Sequence, residues 1–162
     1  MIISGNAVCV RGDNIDTDVL YPGAYLNVDD PQKMAPFLFE GLDPKIREEL
    51  VGETVLVVDE NFGSGSSREH VPQAIRASGI TCVVGKTFAR IFYRNCFNLG
   101  VPAIVCPEAS AAAGKGSVVT VDTDTGVVTV DGQEFQARPI APFMLDMLAA
   151  GGLVEWSRQR SA

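Results

Sequence analysis

The chain has few of the residues that hold metals, and this excludes several kinds of site. It has one histidine, His70, and four cysteines, which are Cys9, Cys82, Cys96 and Cys106. No two of these cysteines fall at a C-x-x-C spacing. A transition-metal or iron–sulfur centre needs several such ligands side by side. We therefore expect this chain to bind no metal by itself, and we expect its thiols to be buried and inert.

Long apolar runs and positive charge are also lacking. No stretch approaches the roughly 18 apolar residues of a membrane-spanning helix, and the N-terminus does not resemble a signal peptide. The net charge of -7 argues against general binding to nucleic acid, although Lys86, Arg90 and Arg94 could form a local basic spot. We expect a cytoplasmic protein with one domain over residues 1–162 and a frayed tail at 157–162.

One stretch combines several residue types that bind anions. Residues 61–72 read NFGSGSSREHVP, and they connect the apolar run 55–58, a predicted buried strand, to a predicted helix at 73–78. The stretch offers two flexible glycines, two hydroxyls and a planar cation beside the helix start: Gly63, Gly65, Ser66, Ser67 and Arg68. This combination indicates an anion-binding turn between a strand and a helix.

A purely structural interpretation of this stretch has to be weighed against the functional one. Ser66 and Glu69 match the S-x-x-E pattern of a capping box, in which the serine only caps a helix. That pattern leaves Arg68 and Pro72 unexplained. Either the first turn of the helix is distorted, or the regular helix begins near Pro72, which suits its first position. The dinucleotide fingerprint G-x-G-x-x-G fails because Arg68 stands at its third glycine. We favour a functional anion site.

The elements around this turn are typical of an α/β protein. Strands and helices alternate along the chain, which favours parallel pairing of the strands. The predicted strands lie at 7–10, 55–58, 80–85 and 101–106, and the predicted helices lie at 73–78 and 88–99. A connection is predicted to follow at 109–116, and then a β-meander with strands at 117–121, 127–131 and 134–137. A further helix is predicted at 143–149. The anion-binding turn lies at the carboxyl end of a strand, where such sheets bind ligands.

Two further features precede the central turn. Asp13, Asp16 and Asp18 form either a solvated turn or part of a site, and composition alone favours the turn, since their spacing does not fit an EF-hand. Asp30–Pro31 and Asp43–Pro44 each predict the start of a short helix, capped by aspartate with proline at the first position.

Four ordered motifs resemble those of a known family. They are NIDTD at 14–18, YL at 25–26, NFGSGSSREH at 61–70 and FARIFYRNC at 88–96. Together they closely resemble the small subunit of 3-isopropylmalate dehydratase and homoaconitase, over nearly the whole chain. The resemblance implies the swivelling β/β/α domain of the aconitase superfamily, an α/β fold with a parallel or mixed sheet flanked by helices and a C-terminal β-meander.

The resemblance also implies an activity and a partner. It implies a hydro-lyase of leucine biosynthesis, which removes water from a 2-hydroxy diacid to give a cis-alkene diacid and returns it at the neighbouring carbon. A large subunit carries a [4Fe–4S] cluster and forms a heterodimer or heterotetramer with this chain, which binds no cofactor itself. The implied partners are that subunit and a small hydroxy diacid, with no nucleic acid and no membrane.

Carried over residue by residue, the resemblance implies the roles of the site residues. Ser66 is the base, working as an alkoxide that helix N–H groups, Arg68 and a water-poor interface would stabilise. Ser67 and Arg68 bind a substrate carboxylate, and Asp18 with Thr17 faces the active site, which outweighs the solvated-turn interpretation of Asp18. The residues implied to read the variable end of the substrate are Tyr25, Leu26, Asn27 and Val28.

Two positions depart from the family's pattern. Ser64 stands where relatives often have cysteine or glutamate, a change that we expect to be tolerated. Asn27 and Val28 provide no arginine for an additional carboxylate, which favours an apolar substituent such as that of isopropylmalate. We expect His70 only to pack or to form a hydrogen bond. The alternatives are a subunit for homocitrate or dimethylmalate, a non-catalytic regulatory module that binds an anion, and a purely structural domain.

Overall fold

The computed structural model describes residues 1–66 and 68–161. Its strands are β1 (Ile2–Val10), β2 (Thr54–Val58), β3 (Ile80–Gly85), β4 (Ala103–Val105), β5 (Val118–Asp122), β6 (Val127–Val130) and β7 (Gln133–Gln136). Its α-helices are α1 (Thr17–Leu20), α2 (Pro31–Met34), α3 (His70–Ala77), α4 (Arg90–Asn98), α5 (Pro107–Ala112), α6 (Pro142–Ala150) and α7 (Leu153–Ser161). Short 3-10 helices lie at Gly23–Tyr25, Ala35–Phe37 and Pro44–Glu49.

The strands form one mixed sheet in the order β4-β3-β2-β1-β5-β6-β7. Strands β1 to β4 pair in parallel, and β5 to β7 pair as antiparallel neighbours. Strand β1 joins the two halves, because residues 6–10 pair with β2 in parallel while residues 2–6 pair with β5 in antiparallel orientation. The predicted α/β fold with a mixed sheet and a C-terminal meander is confirmed.

Both faces of the sheet are covered by apolar side chains. Along β2 every residue is buried, and Leu56 and Val58 face one core while Val55 and Val57 face the other, as the two-residue period of a strand requires. The first core includes buried residues of α3 and α4. The second includes Ala109 of α5 and the inward residues of β5 and β6. The continuous apolar run of β2 therefore reflects burial on both sides.

Two segments of the chain are helical where the sequence predicted no helix. Helix α5 (Pro107–Ala112) occupies part of the segment predicted to be a connection, and Pro107 stands at its first turn. Its small side chains gave no amphipathic pattern, but Ala109 is fully buried against the sheet. Residues 157–161, which we expected to be frayed, are helical as the end of α7. Trp156 of α7 packs against the first core and anchors the helix there.

The two predicted aspartate caps before β2 are confirmed. Asp30 Oδ1 accepts a hydrogen bond from Gln32 N at 3.0 Å, and proline stands in the first turn that follows. Asp43 Oδ1 accepts from Lys45 N at 3.1 Å in the same way. Within residues 1–66 and 68–161, no helix has the length and apolarity needed to cross a membrane.

Candidate active site

The loop after β2 lies between the loops that follow β1 and β3. Isolated β-bridges join Asp16 to Ser64 on one side of this loop and Phe62 to Phe88 on the other. The loop thus continues the strand order past the end of the sheet, at the carboxyl ends of three parallel strands. This edge is where α/β sheets bind ligands, and the sequence predicted the anion-binding turn there.

Gly63 brings the loop against the first turn of α4. Its φ is +83°, and a Cβ atom at this position would lie only 2.2 Å from Cγ of Phe92. Phe92 is 3% exposed and packs edge-to-face on Phe62, with ring centroids 5.3 Å apart. Glycine is therefore required here both by backbone conformation and by space.

Helix α1 presents one side chain inward and the next one outward. Asp16 caps the helix, since its Oδ1 accepts from Asp18 N at 2.9 Å and from Val19 N at 3.1 Å. Thr17 is 2% exposed, and its hydroxyl donates to the backbone oxygen of Ser66 at 2.8 Å. The cap of α1 thus fixes the threonine that holds Ser66 in place.

Arg68 is fixed by protein groups on both arms of its guanidinium. Nη2 lies 2.8 Å from Oδ1 of Asp18, and Nη1 donates to the backbone oxygen of Tyr21 at 2.8 Å. The Arg68 side chain is 18% exposed, whereas that of Asp18 is 63% exposed. An arginine has five N–H donors, so these two bonds orient the group and leave donors for a ligand.

Ser66, Arg68 and Thr17 border a single cavity of about 230 Å³. Its other walls come from the glycines of the loop and from the start of α4: Gly63, Gly65, Ala89, Arg90, Ile91, Phe92 and Asn95. Ala89 is the N-cap of α4 and provides no side-chain cap. The first N–H groups of a helix lack partners within the helix, and its dipole favours an anion at this end.

The start of α3 differs from the prediction. Helix α3 begins at His70, its N-cap is Glu69, and no side chain caps it by a hydrogen bond. The capping-box interpretation of Ser66 and Glu69 is therefore wrong, as is a helix start at Pro72. The proline is tolerated because it stands in the first turn, where its missing N–H has no acceptor within the helix. The helix that opens onto the cavity is α4.

The segment implied to read the variable end of the substrate does not line this cavity. The Tyr25 ring stacks on Phe37 with centroids 3.9 Å apart, and Val28 packs against the first core. Leu26 and Asn27 are exposed. Contacts of these four residues with a substrate stay a prediction. Ser67, the other implied carboxylate ligand, lies outside the described residues, and its role stays a prediction as well.

His70 connects this segment to the site by packing and by a hydrogen bond, as expected. Its Nε2 lies 3.0 Å from the backbone oxygen of Leu26, and its ring stacks on Tyr21 with centroids 5.2 Å apart. Since the Tyr21 carbonyl also binds Arg68, the segment 25–28 is held beside the arginine.

Sequence reasoning missed two residues of the cavity, Arg90 and Asn95. Both lie in the FARIFYRNC motif, which we used only as evidence for the family resemblance. Arg90 was assigned to a local basic spot together with Lys86 and Arg94. Lys86 instead forms an ion pair with Asp59 at 3.2 Å. The order of the elements could have identified these residues. Helix α4 follows β3 and therefore starts at the same sheet edge as the central loop.

A buried carboxylate ties together the three loops that carry the site. Asp59 is 8% exposed, and it binds Arg11 Nη1 at 3.1 Å, Lys86 Nζ at 3.2 Å and Gly12 N at 2.8 Å. Burial alone would raise the pKa of Asp59, but these hydrogen bonds and charges outweigh it and hold the pKa below its usual value. The ionised carboxylate therefore fixes the ends of β1, β2 and β3 relative to each other.

The cysteines of this chain do not fit an iron–sulfur cluster. Cys82, Cys96 and Cys106 are buried, Cys9 is half-buried, and all four are free. Burial raises the pKa of the Cys82 and Cys96 thiols, so they stay protonated, as predicted for inert thiols. Among the described residues, no three histidine, cysteine or acidic side chains lie close enough to hold a metal ion. Cluster ligation requires neighbouring thiolates.

Three comparisons with known proteins agree with one another. Residues 10–109 match the family model described as the aconitase C-terminal domain. The small subunit of 2,3-dimethylmalate dehydratase from Eubacterium barkeri is 47% identical over 147 residues, which is 90% of each chain. The small subunit of 3-isopropylmalate dehydratase from Caldanaerobacter subterraneus subsp. tengcongensis is 45% identical over 92% of this chain and 94% of its own length.

A solved structure extends the likeness to the whole fold. The crystal structure of 3-isopropylmalate dehydratase from Methanocaldococcus jannaschii superposes with a TM-score of 0.92 at 36% identity, and the match covers 99% of this chain and 96% of that one. The chain belongs to the family of aconitase C-terminal domains. Within that family it groups with the small subunits of dehydratases, which are hydro-lyases. The resemblance inferred from the four motifs is confirmed.

Proposed function

We propose that this chain is the small subunit of a dehydratase for alkyl-substituted malates and that it provides the base and part of the anion site. The observation that carries the proposal is the single cavity that Ser66, Arg68 and Thr17 share with the first turn of α4. A fixed guanidinium and a helix N-terminus around one hydroxyl are what a carboxylate substrate and a serine base require.

In the proposed reaction, Ser66 Oγ takes the proton from the carbon next to a carboxylate. The electron pair of that C–H bond forms the double bond of a cis-alkene diacid. The hydroxyl on the neighbouring carbon leaves as water after it takes a proton from a general acid, which we assign to the large subunit. Rehydration reverses these steps with the two carbons exchanged. Arg68 holds the carboxylate, Asp18 orients Arg68, and Thr17 holds the backbone of Ser66.

A serine hydroxyl is a weak acid, so its alkoxide needs strong stabilisation. The N-terminus of α4 and the Arg68 guanidinium supply positive potential beside the serine. In this chain alone Ser66 is exposed, so water would screen both groups. A large subunit that covers the cavity would remove this screening, and we propose a complex of that kind, a heterodimer or heterotetramer. The [4Fe–4S] cluster is assigned to the large subunit, since the described residues here do not fit it.

The substrate is proposed from two observations. The relatives named above act, by their names, on 2,3-dimethylmalate and 3-isopropylmalate. The segment 25–28 beside Arg68 has an exposed leucine and no arginine, which suits an apolar substituent better than a further carboxylate. We therefore propose an alkylmalate with a small branched or methyl substituent.

Anaerobic reconstitution tests this function. The chain is mixed with a candidate large subunit, and formation of the alkene diacid is followed by ultraviolet absorbance with isopropylmalate, dimethylmalate and homocitrate. We expect turnover of an alkylmalate that requires both chains. Turnover of homocitrate alone would select the other substrate class. Failure of any large subunit to bind, together with binding of phosphate by the isolated chain, would favour a regulatory anion-binding module instead.

A further inference from the structure

The positive charge that Arg68 brings to the proposed cavity does not balance the two negative charges of a diacid substrate. Among the described residues that line the cavity, Arg68 and Arg90 carry charge. Arg68 already lies 2.8 Å from the Asp18 carboxylate, which offsets part of its positive charge. A diacid substrate brings two negative charges into the cavity. A second cation in the cavity would balance the remaining charge, and the described part of the cavity offers Arg90.

We infer that Arg90 binds a substrate carboxylate and determines the affinity of the site for diacids; this inference rests on the proposed function. Arg90 is the first residue of α4 and borders the cavity together with Ser66 and Arg68. It forms no ion pair with the rest of the described chain. Its planar fork is therefore available for two hydrogen bonds to a carboxylate.

Asn95 supports the same assignment from a more buried position. It is 9% exposed, lies about one and a half turns further along α4, and lines the cavity wall. A side-chain amide offers both a donor and an acceptor, which suits a carboxylate or a hydroxyl of the substrate. The cavity therefore has polar groups from α4 in addition to those of the central loop.

Arg68 and Arg90 thus have different tasks. Arg68 is oriented by Asp18 and by the Tyr21 carbonyl before a ligand arrives. Arg90 is exposed and borders the cavity, so on this inference it attracts and clamps the dianion when the substrate binds. Its contribution should be present in the ground state and in the transition state alike, which predicts an effect on KM rather than on kcat.

The test compares Arg90→Gln with Arg94→Gln, one turn later on the same helix. Both arginines are exposed, and of the two Arg90 borders the cavity. In the complex with the large subunit, we expect Arg90→Gln to raise KM about 10- to 100-fold with a smaller change in kcat, as for loss of a charged hydrogen-bonding group. Arg90→Lys should recover part of the affinity, and Arg94→Gln should leave KM within about twofold.

A second measurement separates this inference from the proposed function. The isolated chain is titrated with maleate, a cis-alkene diacid, and amide chemical shifts are recorded by nuclear magnetic resonance. We expect shifts at residues 65–66 and 89–92 that disappear in Arg90→Gln and persist in Arg94→Gln, whether or not a large subunit is active. An active wild-type complex whose KM is unchanged by Arg90→Gln would overturn the inference and leave the proposed function standing. Maleate shifts that are equal in both variants would overturn it as well.

Discussion

Replacing Gly63 by alanine is expected to destabilise the chain far more than the same change at a matched glycine. Gly63 has a φ of +83°, and an alanine Cβ there would lie 2.2 Å from Cγ of Phe92. Gly52 has a similar φ of +68°, but a Cβ there would meet nothing within 4 Å. The two variants therefore share the backbone penalty and differ in the steric one.

The expected magnitudes follow from these two contributions. A left-handed conformation costs a residue other than glycine about 1 to 2 kcal/mol. Overpacking a buried site adds about 1 to 3 kcal/mol, and the upper end applies here because the obstacle is a ring that is 3% exposed. We expect a loss of about 1 to 2 kcal/mol for Gly52→Ala and about 3 to 5 kcal/mol for Gly63→Ala.

Urea unfolding of both variants measures this difference, and a third variant tests its cause. Phe92→Ala should remove the nearest obstacles, Cγ and the ring atoms beyond it, so the double variant Gly63→Ala/Phe92→Ala should lose less stability than the sum of its single changes, by at least about 1 kcal/mol. Equal losses at positions 52 and 63 would refute the reasoning that the loop packs against α4. Additive losses in the double variant would refute Phe92 as the obstacle.

Two further predictions concern charged groups of the site. Asp18→Asn removes the partner of Arg68; we expect kcat to fall about tenfold because the guanidinium loses its orientation, while stability changes by less than about 1 kcal/mol since the Asp18 side chain is largely exposed. A loss of stability with an unchanged kcat would show that the ion pair between Arg68 and Asp18 has only a structural role. Asp59→Asn should destabilise the chain at pH 7 by about 2 to 3 kcal/mol. The folded-state pKa of Asp59 lies below its unfolded value of about 4, so the stability that the charge provides is present above about pH 4 and is lost as the pH falls through the folded-state pKa. The difference between wild type and variant in urea should therefore shrink steadily below about pH 4, and a constant difference down to about pH 2 would contradict this.

The sequence predicted the central strands well because their burial is continuous. Strand β3 matches the prediction at 80–85, and β2 differs from 55–58 by one residue. Strand β1 was predicted only at 7–10, because its first half alternates exposed and partly buried residues along the antiparallel pair with β5. Helix α5 was missed because alanines and serine have no amphipathic pattern, and only the packing of Ala109 on the sheet shows why the segment is helical.

The site could be predicted in part, since its residues come from motifs that are local in sequence. The pairing of Arg68 with Asp18 depends on how the loops after β1 and β2 meet, so spacing alone did not show it. The role of α4 was missed for the same reason, because the bridge between Phe62 and Phe88 brings the start of this helix to the central loop. Tertiary contacts of this kind leave no periodicity in the sequence.

The role of Ser66 can be measured with a matched serine in the same loop. Ser66→Ala and Ser64→Ala remove one hydroxyl each, two residues apart, and Ser66 is the one that lines the cavity. In the reconstituted complex, we expect Ser66→Ala to bind the large subunit normally and to lose at least about 1,000-fold in kcat, as for loss of a catalytic base or nucleophile. Ser64→Ala should keep kcat within about threefold. Equal kcat values for the two variants would show that Ser66 is not the base.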